Sequence, residues 1–195
     1  MKKTISITIL LLCSITFAQD FSKRTNGITL GYFSDRFGSH GMRAGYENVF
    51  YEKHRPKHEN SNGSHSLLGK LNLSFFRHPR ADWGFLLNAT IGYRFTNKYG
   101  AMLEPMHLGI GGMYSILDGK TYQVDINGNV TNKISGYWTF VAPYIQLFGM
   151  GYDFRRKLNL PFHFSISLDA YSQRNINSKA WLRLATPISF TYYIK

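Results

Sequence analysis

The chain is almost without cysteine, short of acidic residues and free of long hydrophobic runs. Its single cysteine is Cys13, and Asp and Glu together number 11 against 23 Lys and Arg in 195 residues. Each scarcity excludes something. One thiol cannot form an intramolecular disulfide, so no disulfide framework holds this fold. No stretch approaches the 18 or more uninterrupted apolar residues of a membrane-crossing helix. No motif for a cofactor or a metal stands out, and none is expected. The sequence "GIGG" around Gly109, Gly111 and Gly112 lacks the strand-to-helix setting that a nucleotide loop requires. His54 and His58 have a helical metal-ligand spacing, but Pro56 between them opposes a helix.

The first residues, "MKKTISITILLLCSITFAQ", differ from the rest. Lys2 and Lys3 give a positive start, Ile5 to Leu12 a short apolar run, and Thr16-Phe17-Ala18 a small-residue end, the pattern of a cleaved export signal. Cleavage is expected after Ala18, leaving residues 19–195 as one domain. Cys13 is a poor lipidation site, because Leu12 precedes it where a small residue belongs. Taking two for Lys2 and Lys3 from the formal net charge of +12 leaves +10, still strongly basic. Basic proteins meet nucleic acid, anionic lipid head groups or acidic polysaccharide. Export sets nucleic acid aside and leaves lipid, glycolipid and other envelope proteins as the expected partners.

What the chain has in abundance is alternation. In "FHFSISLDAY", Phe162, Phe164, Ile166, Leu168 and Ala170 interleave with His163, Ser165, Ser167, Asp169 and Tyr171. The same period of two runs through "LLGKLNLSFF" from Leu67, "WGFLLNATIGYRF" from Trp83, "MHLGIGGMYSI" from Met106 and "LRLATPISFTYYI" from Leu182. Period two sustained over ten residues signals strands, and no segment offers a comparable 3.6-residue pattern. Three noisier segments, Ile28 to Ser34, Gly41 to Glu52 and Trp138 to Tyr152, bring the expected count to eight. Pro143 in the last of these removes a ladder hydrogen bond and marks a bulge.

The fold class that follows is all-β, an antiparallel up-and-down transmembrane β-barrel. A soluble barrel also alternates, with its oily face inward. These strands are long for a soluble domain, and aromatics reach 16%. In a membrane the charges set the phase, because Lys70, Arg94 or Arg183 turned outward would cost roughly 2–4 kcal/mol each near the midplane. Trp83, Trp138 and Trp181 begin alternate strands and therefore share one rim, the level of an interfacial aromatic belt. Asn127-Gly128 predicts a tight turn in a hairpin that projects beyond the membrane. With both termini in the periplasm, the basic loop Lys53 to Ser64 falls on the periplasmic side, where turns are usually short.

Taken together, these residues resemble the small eight-stranded outer-membrane β-barrel proteins as a class. The resemblance implies an outer-membrane location and an aromatic-rich final strand read by the insertion machinery. "ISFTYYIK" is similar to such a strand but departs by ending in Ile194-Lys195. An eight-stranded barrel is just wide enough for side chains to fill, so Glu47, Lys70, Arg94, Asp169 and Arg183 are expected to form a polar network in the lumen. The expected function is a non-enzymatic barrel, structural or docking other envelope components. Two alternatives stand beside it. His163-Phe164-Ser165 resembles the His-x-Ser pair of outer-membrane lipid A deacylases, making an acyl hydrolase with His163 and Ser165 one alternative. A narrow small-solute pore is the other.

Overall fold

The computed structural model describes residues 24–35, 38–54, 63–78, 82–124, 129–174 and 180–194. Nine strands and one helical turn appear: β1 (Asn26–Asp35), β2 (Ser39–His54), β3 (Ser64–Arg77), β4 (Asp82–Thr96), β5 (Ala101–Glu104), β6 (His107–Val124), β7 (Val130–Asp153), α1 (Arg155–Leu158), β8 (Phe162–Arg174) and β9 (Ala180–Ile194). Each strand pairs antiparallel with its neighbours, and β1 pairs with β9 (Gly31↔Ser189), which closes the ring. β5 and β6 share one place in that ring. β5 lies between β4 (Phe95↔Leu103) and β7 (Leu103↔Met150), β6 continues between the same two strands, and Pro105 separates them. The ring therefore has eight positions, as alternation predicts, with the fifth interrupted. Within the ring, closure leaves no strand edge unpaired among the described residues.

The sides of the pleat are the reverse of a soluble protein's. Leu71, Leu73, Leu87, Ile91, Leu108, Ile110 and Phe190 are exposed on the outer wall. Inside, buried polar side chains outnumber buried apolar ones, and Asp35, Glu47, Arg94, Glu104, His107 and Asp169 are all 2% exposed or less. The strands of 13 to 16 residues that make up most of the ring exceed the 9–11 that a membrane-crossing strand needs.

Two irregularities explain two of the three noisier sequence segments. The register slips between Val49 and Tyr51 in β2, so Phe50 and Tyr51 are both exposed and the alternation changes phase there. In β7 the register against β8 slips between Val141 and Tyr144, at the position of Pro143. Close approach requires glycine at several interior positions, as at Gly109, where a Cβ would lie 2.0 Å from the Ala89 carbonyl oxygen across the ladder. Gly112, by contrast, stands on the outer row beside open space and does nothing for lumen packing, a correction to grouping it with Gly109 and Gly111.

The barrel has two unlike ends. The start of β1, the end of β9, the β2–β3 and β4–β5 connections and α1 lie at one end, here the terminal rim. The connections after β1, β3, β6 and β8 lie at the other. Beyond Leu117 in β6 and before Val141 in β7, these two strands pair only with each other among the described residues, so this hairpin projects past its neighbours. Its expected Asn127-Gly128 turn lies outside the described residues, as does most of the basic loop after His54. The β2–β3 connection does fall on the terminal rim.

Candidate functional site

The chemistry of this barrel is concentrated in its lumen, in three charged groups stacked along the axis. Nearest the terminal rim, Arg94 of β4 forks onto Glu47 of β2, with Nη1 2.7 Å from Oε1 and Nη2 2.6 Å from Oε2. The same guanidinium donates through Nε and Nη2 to Glu104 Oε1 at 2.8 and 2.6 Å. Lys70 donates to Glu104 Oε2 at 2.6 Å, as does Gln146 Nε2 at 2.7 Å. The Tyr193 hydroxyl donates to Glu47 at 2.9 Å and accepts from Arg94 Nη1 at 3.0 Å. Two carboxylates thus meet two cations, so the cluster closes at neutral charge, as burial requires.

The middle group is centred on Asp169 of β8. Tyr144 donates to its Oδ2 at 2.5 Å, Arg43 Nη1 lies 3.3 Å away, and Ser167 donates to Oδ1 at 2.9 Å. Arg43 also donates from Nε to Ser74 at 2.9 Å, and its guanidinium sits 4.6 Å from the Phe33 ring centre. Toward the hairpin rim, Arg183 Nη1 pairs with Asp35 Oδ2 at 2.9 Å, and Tyr171 donates to Asp35 Oδ1 at 2.8 Å. Asp82 and His78 complete this third group.

The five charged residues singled out from alternation, Glu47, Lys70, Arg94, Asp169 and Arg183, all line the interior, but in three groups rather than one. Their partners Arg43, Glu104 and Asp35 are missing from that set. Arg43 had a signal, since Met42 and Ala44 flank it as an alternating pair. Glu104 sits on β5, which Pro105 detaches from the pattern. Asp35 closes its strand beside a connection.

The lumen is blocked along its length. Phe33, Phe76, Leu86, Met113, Val141, Tyr144, Tyr171 and Ala185 pack into an apolar plug on the hairpin side. At the terminal rim Arg155 of α1 lays its guanidinium 3.4 Å from the Tyr193 ring centre, pairs with Asp153 at 2.8 Å and donates to the Arg24 carbonyl at 2.8 Å. Between them remains a polar cavity of about 20 Å³ beside Asn88, Ser165 and Asp169, room for roughly one water.

Two serine and histidine arrangements bear on a hydrolase. His163 and Ser165 both point inward, 1% and 8% exposed. His163 Nδ1 lies 3.0 Å from the Tyr193 hydroxyl and Nε2 4.0 Å from Glu47, so the ring is turned toward that cluster, away from Ser165. The other arrangement, absent from the sequence reading, is Ser39 against His78 Nδ1, with His78 Nε2 3.0 Å from Asp35. Arg183 Nη1, a donor, lies 2.9 Å from that same Nε2. Nε2 is thus shared between a carboxylate and a guanidinium, and Asp35 is itself held by Arg183 and Tyr171.

The tryptophans share the hairpin rim. Trp83 opposes Arg77, stacks on Phe75 with centroids 5.0 Å apart and lies 4.8 Å from the Arg77 guanidinium. Trp138 is 74% exposed and packs against Tyr114 at 5.0 Å. The Trp181 backbone pairs with Gln173 at the same level.

No protein-family model matches this sequence, and no curated protein does. Among solved structures, the chain is similar to the outer-membrane enzyme PagL, at 9% identity over 86% of this chain and 99% of that one, with a TM-score of 0.45. It is also similar to the Yersinia pestis outer-membrane protein Ail, at 10% identity over 87% of this chain and 100% of that one, with a TM-score of 0.37.

Proposed function

We propose that the protein is a non-enzymatic integral outer-membrane barrel that docks other envelope components through its projecting β6–β7 hairpin. The observation that carries this reading is the contrast between a blocked interior and an extended exterior. The lumen charges are spent on one another, and the plug and Arg155 close both ends. A solute path and a lumen-facing active site are both poorly served by such an interior. The hairpin instead carries two strands beyond the ring, with Tyr122 and Val130 exposed on it. The outer wall supports a membrane setting, since a contiguous apolar surface of this extent is untenable in water.

The test is site-specific cross-linking in intact cells, with a photoreactive residue at Tyr122 compared with one at Leu73 on the outer wall. A discrete protein adduct at Tyr122 and none at Leu73 supports docking through the hairpin. Equal or absent adducts contradict it.

A further inference from the structure

We infer that the outer wall across β2, β3 and β4 holds a site for one anionic diacyl phospholipid, from the leaflet at the terminal rim. The inference rests on the membrane reading above and gives it a specific lipid contact. Most outward positions here carry Leu, Ile, Phe or Tyr, but Gly69 of β3 and Ala89 of β4 are diagonal neighbours, through the pairs Leu71↔Ala89 and Gly69↔Ile91. The missing side chains leave an apolar trough of about 370 Å³, walled by Tyr46, Phe50 and Leu71. Phe50 leans over the trough: a Cβ built on Gly69 would come 2.7 Å from the tip of its ring. Phe50 faces outward in the regular alternation that buries Glu47 and Val49, and the bulge turns Tyr51 outward directly after it.

One flank of the trough is polar. Asn48 Nδ2 and the Tyr46 hydroxyl both donate to Asn26 Oδ1, at 2.5 and 2.7 Å, on the outer surface where β1 begins. Polar groups on a hydrocarbon-facing wall belong at the glycerol level, where lipid esters and water satisfy them. Three residues beyond Phe50 along β2, roughly 10 Å at about 3.3 Å per residue, stands Lys53. It is exposed and has no carboxylate within ion-pair distance among the described residues. Tyr51, 59% exposed, lies between them. A trough for an acyl chain, flanked on its β1 side by an amide cluster and followed toward the terminal rim on the same strand by a cation, matches a phospholipid. The occupant is a phospholipid because the chain and the phosphate are recognised together.

Native mass spectrometry of the full processed chain in mild detergent, with phosphatidylglycerol and phosphatidylcholine added in equal amounts, tests this. The wild-type barrel is expected to retain one phosphatidylglycerol. Ala89→Phe fills the trough from an exposed, lipid-facing position, leaves the interior untouched, and is expected to lose that adduct. Leu87→Phe, on the same strand outside the trough, is expected to keep it. Lys53→Ala is expected to erase the preference for phosphatidylglycerol. Equal retention by Ala89→Phe, Leu87→Phe and wild type means ordinary boundary lipid and overturns the site, as does an unchanged preference in Lys53→Ala. A failure of the membrane reading itself looks different, because the chain would then stay soluble and monomeric with no detergent present.

Discussion

Arg94 shows what a lumen residue contributes. Its guanidinium satisfies two buried carboxylates at once, so truncation strands Glu47 away from solvent and leaves Glu104 to Lys70 and Gln146. Arg94→Ala is expected to destabilise the folded barrel by about 3–5 kcal/mol in denaturant titration from lipid vesicles. Pairing Arg94→Met with Glu47→Gln removes the stranded charge, so the double variant is expected to lose less than Arg94→Met alone. If instead the two losses simply add, Glu47 and Arg94 are not coupled. Ser165 is the opposite case. It faces a cavity with room for one water, and His163 beside it is engaged elsewhere. Ser165→Ala is therefore expected to leave the mass spectrum of extracted glycolipid unchanged, and altered acylation would revive the hydrolase.

The strand is the scale at which the sequence spoke most plainly. In β3 and β4 the outward and inward rows of the structure are those of the alternation, down to Leu68 and Phe76, which are apolar yet inside. What alternation cannot supply is phase across an irregularity or the identity of a partner across the lumen. The bulge in β2 and the break at Pro105 each reset the period locally. Asp169 meets Arg43 across 126 positions of sequence because barrel closure brings them together. That pairing is a property of register and not of local pattern. The face assignment has its own test. Leu73→Arg, mid-strand on the outer wall, is expected to cost roughly 2–4 kcal/mol in vesicles, whereas no penalty would mean that lipid is not there.

The whole molecule is an inside-out barrel whose polar interior is closed and whose distinctive features, the projecting hairpin and the terminal-rim trough, lie outside it. In planar bilayers it is expected to show no resolved conductance steps. Steady openings would require the plug of Phe33, Phe76 and Tyr171 to move. Beneath every one of these statements is the sidedness of the pleat. Since Cys13 is the chain's only cysteine and falls in the expected leader, single cysteines can be placed on a clean background. Spin labels at 71, 73 and 75 in vesicle-embedded protein, read by power saturation with oxygen, test the account most directly. It predicts high oxygen accessibility at all three, with a cysteine at 72 or 74 unreactive in the folded barrel. Reactive cysteines at 72 and 74 with labels at 71, 73 and 75 shielded from oxygen would contradict it.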